Sequence, residues 1–251
     1  MFAEERKSRI LEILEGKSRV TVIELTESLN VSESTIRRDL QDLEQAGLLK
    51  RTHGGAVKGE HTGFEPTMAE KEEANIDEKQ YIGEKAAALI EDHDTVILDA
   101  GTTTLEIAKH IKAKNITVLT NSMLIALELS KYKDVEIVVT GGNTRKETLS
   151  IVGPFTDMMI QSFRVDKAFI GANSITLQDG CTTPNIQEAH TKKMMIRSAK
   201  EVYVVADHSK FGKVSFASIV RLDEIDAIIT DAQIDKQTVE RFRHEGIEIL
   251  Y

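Results

Sequence analysis

Apolar residues recur at helical spacing in three short stretches at the start of the chain. In EERKSRILEILEG, Ile10, Ile13 and Leu14 share one face, and Gly16 is placed to stop the run. In TVIELTESLN, Thr21 is positioned as an N-cap, Val22, Leu25 and Leu29 line one side, and Asn30 suits a left-handed end. VSESTIRRDLQDLEQAG then begins with Ser32 or Ser34 as cap and closes at Gly47. Helix, short turn and helix at this spacing predict a helix-turn-helix.

The third stretch repays plotting at about 100° per residue. Ile36, Leu40 and Leu43 fall in one narrow sector and face a core, with Ser34, Arg38 and Gln41 opposite and Thr35 and Arg37 on the flanks. Short polar groups and arginines near the N-terminal half suit a helix that enters a DNA major groove. There an arginine reaches guanine O6 and N7 with two bonds or clamps a phosphate. Asp42, four residues after Arg38, is placed either to hold that guanidinium or to form a weak surface pair. LLKRTHGGAV follows, and its Gly-Gly turn predicts a small β-wing. Lys50, Arg51 and His53 would sit beside a phosphate backbone, with Gly54 and Gly55 letting the tip pass close. A plain helical bundle with a solvated polar face is the alternative.

Residues 58–77 are polar, hold two glycines and one proline, and show no apolar period, so they read as a linker between residues 1–57 and 78–251. The Glu65–Pro66 step predicts an extended start followed by a short helix.

From residue 78 the rhythm changes. The apolar runs are TVILDAG (95–101), ITVLTNS (116–122), VEIVVTGG (135–142), VDKAFIGAN (165–173), VYVVAD (202–207), DAIITD (226–231) and IEIL (247–250). Helical patterns separate most of them, including LEIAKHI, LIALELSKY, EAHTKKMMIRSA and KQTVERFRHE. Val/Ile runs alternating with helices predict an α/β domain with a mostly parallel sheet covered on both faces. The runs end in polar and glycine residues, and in such a sheet those ends share one rim, where ligands bind.

The turn Gly101–Thr102–Thr103–Thr104 opens directly onto a helix, so its N–H groups and hydroxyls suit a phosphate. Asn121, Gly141 and Gly142 end neighbouring runs; Arg145 and Lys210 supply cations, and Asp99 and Asp207 offer acceptors for sugar hydroxyls. The same residue types also serve turn geometry and capping, with Asp99 equally suited to a helix cap and Arg145 to an interface. His190 and His208 lack metal-like spacing, and neither a metal nor a cofactor is expected.

Composition narrows the setting. The 251 residues suffice for two ordinary domains, and one cysteine, Cys181, excludes an internal disulfide and points to the cytoplasm. Cys181 is more often a small buried filler than a reactive thiol. The N-terminus is unlike a secretory signal, and no apolar run is long enough to span a membrane. Residues 1–58 balance ten basic against ten acidic residues, so the remainder carries the whole net charge of −9. Placement of a few arginines therefore matters more than global charge.

SESTIRRDLQDLEQAGLLKRTHGGA, residues 32–56, resembles the N-terminal signature of DeoR-type bacterial transcriptional regulators. LDAGTTT, LTNS, TGG, GP at 153–154, FIGA and ADHSKFG resemble, in that order, the sensor domain of the same family. The resemblance implies a winged helix-turn-helix that represses a sugar or nucleoside operon. Its implied DNA contacts are Ser34, Thr35, Arg37, Arg38 and the wing. The implied sensor is similar in fold to ribose-5-phosphate isomerase and takes a phosphorylated sugar through Asp99, Gly101, Thr102, Thr103, Asn121, Gly141, Gly142 and Lys210. One departure is Ser174, where many relatives carry glycine.

Three functions follow as expectations. The first is a repressor that binds double-stranded operator DNA as a homodimer or homotetramer and is released by a phosphosugar, with fructose-1-phosphate the first candidate. The second is a sugar-phosphate isomerase or deaminase with a DNA-binding appendage, for which no second acid–base constellation stands out beside Asp99, Asp207, Glu188 and Lys210. The third is an α/β module that only oligomerises.

Overall fold

The computed structural model describes residues 2–17, 19–45, 48–52, 54–58, 62–63 and 65–251. The chain divides into two compact units, Met1–Phe64 and Glu65–Tyr251. The division leaves residues 65–77 packed with the second unit rather than free between the two.

In the first unit, α1 (Ala3–Lys17), β1 (Arg19–Thr21), α2 (Val22–Leu29) and α3 (Glu33–Gln45) precede the hairpin β2 (Leu49–Thr52) and β3 (Gly55–Lys58). The strands form an antiparallel sheet ordered β1-β3-β2. Ile10, Leu14, Leu25, Ile36, Leu40 and Leu43 make the core. Burying each such side chain contributes roughly 1.5–3 kcal/mol relative to exposure. Gly16 does not stop α1, which runs on to Lys17, and Ile13 is only partly buried.

The caps of α2 follow the sequence. Thr21 and Glu24 form a capping box, and Asn30 takes φ 50°. Of the two serines offered as caps for α3, Ser32 serves: its Oγ accepts the Thr35 N–H at 3.3 Å. Gly47, the expected end of this helix, lies outside the described residues.

The second unit carries α4 (Met68–Glu73), α5 (Ile76–Ala87), β4 (Thr95–Leu98), α6 (Thr102–His110), β5 (Ile116–Thr120), α7 (Met123–Leu129) and β6 (Val135–Val139). Then come β7 (Asn143–Thr144), β8 (Ile151–Val152), α8 (Pro154–Gln161), β9 (Val165–Gly171), β10 (Ser174–Thr176), β11 (Gly180–Thr183) and α9 (Ile186–Ser198). β12 (Ala199–Val205), β13 (Ala217–Val220), β14 (Ala227–Ile229), α10 (Lys236–His244) and β15 (Glu248–Leu250) complete it. The seven expected runs form the main sheet, wholly parallel among the described residues and ordered β15-β14-β12-β9-β4-β5-β6.

Alternation along each strand splits the core between two faces. Ile82, Ile107 and Ile125 pack on one side with Val96 and Leu98, while Ile160, Met195 and Phe242 pack on the other with Ile97 and Ile170. Strand order reverses between β4 and β9, the switch point at which a doubly wound sheet opens a crevice. A second sheet, β10-β11-β13, and the pair β7-β8 are antiparallel additions that the period of the sequence did not reveal. Among the described residues no helix is long and apolar enough to cross a membrane.

Candidate functional site

On α3, Ser34, Arg37, Arg38 and Gln41 are exposed and Thr35 half-buried, while Ile36, Asp39, Leu40 and Leu43 face inward. The buried Asp39 takes two bonds from the Arg6 guanidinium, one at 2.9 Å, and so fastens the face of α3 to α1. Asp42 pairs with Lys7 at 2.9 Å instead of holding Arg38, because α1 brings that ammonium within reach. Among the described residues Arg37 makes only an exposed pair with Glu33 at 3.4 Å.

In the wing, Lys50 and Gly54 are exposed and Arg51 is half-buried, with its N–H held by Glu44 at 2.8 Å. Gly55 has a different role from the one expected of it. It is buried, and a Cβ there would lie 1.9 Å from the Val20 carbonyl, so its missing side chain serves the seam between β3 and β1. His53 lies outside the described residues.

In the second unit, Asp99 immediately follows β4 and Gly171 ends β9, the two strands flanking the switch point. The buried Asp99 carboxylate accepts the Gly171 N–H at 3.0 Å and the Lys192 ammonium from α9, which also donates to the Gly171 carbonyl at 3.0 Å. Burial pushes the Asp99 carboxyl above its ordinary range, against the pull of Lys192 and of the Gly171 N–H.

The turn into α6 divides its threonines. Thr104 is buried and donates to the carbonyls of Asp99 at 2.5 Å and Gly101 at 3.0 Å, so its hydroxyl shapes the turn. Thr102 and Thr103 make no side-chain hydrogen bond among the described residues, and Gly101 supplies no side-chain cap to the N–H groups above it. That end of the helix has the free donors an anion needs.

Asn121 is equally committed. Its Oδ1 accepts the Ala100 N–H at 2.9 Å and its Nδ2 donates to the Ile151 carbonyl at 3.0 Å, tying the β4 turn to β8. Gly142, at φ 142°, leaves a gap that a Cβ would close to 2.1 Å from the Thr156 hydroxyl, which itself donates to the Gly141 carbonyl at 2.6 Å. Gly141 is exposed, with nothing near its absent side chain.

Beside Ile151, Ser150 and Thr148 donate to Glu188 at 2.7 and 2.6 Å. Arg145 meets the same carboxylate at 2.7 Å and Glu65 at 2.8 Å. Burial works to raise the Glu188 carboxyl, but Lys192, the two hydroxyls and Arg145 prevail and hold it at about 2. Asp99, Asn121 and Arg145 thus belong to one connected network. Lys192 and Glu188 are central to it, one turn apart on the buried face of α9. Sequence reasoning missed Lys192 as a site residue, although charged residues repeating at helical spacing with the buried Met195 and Ile196 were the available signal.

Asp207 and Lys210 stand at the end of β12 on the same rim, without a bond to that network among the described residues. Asp207 Oδ1 accepts from Asn75 at 2.9 Å and from Ser209; its buried Oδ2 has no hydrogen-bond partner and lies 3.5 Å from Lys210. Cys181 is buried on β11, and burial pushes its thiol up to about 12, which makes it an inert filler. Ser174 is buried and shares a hydroxyl contact with Ser215 at 2.8 Å. Among the described residues no group of three or more metal-ligating side chains occurs.

A winged helix-turn-helix and a doubly wound sheet with charged side chains gathered at its switch point define a class, that of DNA-binding regulators with a second α/β domain. Comparison with known proteins matches residues 6–62 to the DeoR-like helix-turn-helix domain and residues 74–232 to the DeoR C terminal sensor domain. The chain is 41% identical over 234 residues to the HTH-type transcriptional regulator FruR of Bacillus subtilis, covering 93% of each protein. It is 38% identical to the HTH-type transcriptional repressor GlcR of the same organism, covering 100% of this chain and 96% of that one. The chain belongs to the DeoR family of transcriptional regulators, and it is a regulator rather than an enzyme. Ribose 5-phosphate isomerase A of Methanocaldococcus jannaschii superposes at a TM-score of 0.41 with 17% identity, over 55% of each chain.

Proposed function

We propose that the chain represses a sugar catabolic operon and is released from its operator by a phosphorylated sugar. On this reading α3 enters the major groove, with Arg38 and Gln41 facing base edges and Ser34, Thr35 and Arg37 positioning it. Lys50, Arg51, His53 and Gly54 of the wing follow the phosphate backbone. One reading head of balanced charge makes few phosphate contacts, so useful affinity calls for at least two chains on two half-sites. A DNA partner fits the cytoplasmic setting expected from the single cysteine.

The effector reading rests on one observation above others: the uncapped start of α6 with its free Thr102 and Thr103 hydroxyls adjoins the buried Asp99–Lys192 pair at the switch point. The phosphoryl group would take the α6 N–H groups and the two hydroxyls, and sugar hydroxyls would turn to Asp99, Glu188 and Lys192. Asp207 Oδ2 and Lys210 offer a further acceptor and a cation along the rim. Fructose-1-phosphate stays the first compound to try, on the overall family resemblance alone. A thermal-shift screen across a phosphosugar panel, followed by operator binding with the hit, tests the reading. Operator affinity that no phosphosugar changes would sink it.

A further inference from the structure

The second unit begins with a strap laid across the rim of its own sheet. Glu65 is its first residue, immediately after the peptide that joins the two units. Thr67 caps α4 through a capping box with Glu70, and the Met68 N–H donates to the Glu147 carbonyl at 2.7 Å. At the far end, Lys79 donates to the carbonyls of Lys71 and Ala74, and Asn75 donates to Asp207. The strap therefore runs from the loop after β7 to the loop after β12.

Glu65, half-buried, is held differently from the buried carboxylates. Asp99 has the Gly171 N–H, and Glu188 has the hydroxyls of Thr148 and Ser150. Glu65 has two cations, Arg145 at 2.8 Å and Lys71 at 3.0 Å, and among the described residues no backbone or hydroxyl donor. Arg145 is fixed from behind: its N–H donates to the Ser150 carbonyl at 2.9 Å and its carbonyl accepts the Leu149 N–H at 2.9 Å. Its guanidinium faces Glu65 on the strap and Glu188 in the crevice, with the exposed Glu147 at 3.6 Å. Apart from the exposed Glu147, Lys71, Arg145 and Lys192 balance Glu65, Asp99 and Glu188, so this largely buried cluster is neutral as it stands.

We propose that Glu65 and Arg145 form an anion-operated latch: an anion seated at the start of α6, next to the Asp99–Lys192 pair, draws the Arg145 guanidinium from Glu65 and frees the strap leading to the DNA-reading unit. The proposal rests on the reading that the effector is anionic and enters this crevice. A phosphate brings nearly two negative charges into a neutral, poorly solvated cluster, where like charges repel strongly. One carboxylate has to give way. Glu188 and Asp99 are fastened by neutral donors that keep their hold when the cations are shared out. Glu65 is not, and it lies on a half-exposed segment, residues 65–67. With Glu65 released, the start of the strap loses its ion pair with Arg145 but keeps the Met68–Glu147 bond and the burial of Met68, while Lys79 still pins its end.

Hydrogen–deuterium exchange on the full-length protein tests this, with inorganic phosphate as the probe and chloride at matched ionic strength as the control. Loss of a charge-assisted bond predicts that Glu65→Gln exchanges the amides of residues 67–73 about tenfold faster without phosphate. Phosphate should bring the wild-type strap toward that rate and change the variant little. The phosphate arm uses unmodified protein, so it stands even if the variant folds poorly. A wild-type strap equally protected with and without phosphate overturns the latch. If phosphate raises the melting temperature of the sensor unit without loosening the strap, the latch falls and the effector site survives; if it does neither, both fall.

Discussion

Lys192 sets its ammonium against the Asp99 carboxylate, both buried, where the strand order of the sheet reverses. Removing one member of such a pair strands the other charge without water. Lys192→Met is therefore expected to destabilise the sensor unit by about 3–5 kcal/mol. Asp99→Asn should cost less, because an amide oxygen still accepts the Gly171 N–H. The double variant should fall well short of the sum. All four tyrosines, at 81, 132, 203 and 251, lie in this unit, and the chain has no tryptophan, so tyrosine fluorescence in urea reports it directly. Additive losses would show that the two groups are not coupled.

The reading head makes a two-part prediction. Arg38 is exposed on the outer face of α3, so Arg38→Ala should cost about 1–3 kcal/mol on operator DNA and relax base preference at one position. Lys50 is exposed on the wing strand β2, so Lys50→Ala should weaken all sequences alike and lower the salt slope by about 1. Binding isotherms on operator and scrambled duplexes at several salt concentrations separate the two. If both variants show the same pattern, α3 and the wing do not divide the work.

Gly55 predicts a loss of DNA binding without a DNA contact. A Cβ there would meet the Val20 carbonyl at 1.9 Å and the Thr21 Cα at 2.7 Å, both backbone atoms that cannot swing aside. Gly55→Ala should destabilise the first unit by about 2 kcal/mol or more. Operator affinity should fall with it, while the tyrosine signal of the second unit stays put. Helical circular dichroism against temperature reads the first loss. An unchanged first transition together with weakened operator binding would return Gly55 to the DNA surface.

These residues also show what the sequence could and could not disclose. The seven strands of the main sheet were legible because each is a Val/Ile-rich run between helical stretches, and the central β4, β9 and β14 are almost wholly buried. The small sheet of β10, β11 and β13 was not: SIT, GCTT and ASIV are short and partly polar, and β13 joins the β10–β11 hairpin from far along the chain. The rim was legible as a row of polar turn residues. The work of each was not, since Thr104 and Asn121 spend their polar atoms on neighbouring loops. Lys192 hid because a lysine on an amphipathic helix resembles a solvated one until the helix is docked. Glu65 hid in a polar stretch whose composition matches that of a free linker. Asp42 was two-valued for the same reason: α1 supplies Lys7, and only tertiary packing says so.

Lys79 carries the pH prediction. Its ammonium is buried at the end of α4, and burial lowers it from 10.5 to about 8, against the opposing pull of Asp207. The folded chain therefore binds fewer protons than the unfolded chain between those values, and stability rises with pH across that window. Below about 8 the amine is charged in both states and the full cost of burying it is present. The difference between the two values corresponds at most to on the order of 3 kcal/mol, and solvent screening reduces it. Tyrosines and exposed lysines also titrate in alkali, so the informative quantity is the stability of wild type minus that of Lys79→Met. That difference should shift in favour of the wild type from pH 8 upward and flatten above 10.5. Urea denaturation at closely spaced pH values measures it. A constant difference would mean that the Lys71 and Ala74 carbonyls keep the ammonium charged throughout, and that the end of the strap is pinned by a permanent cation.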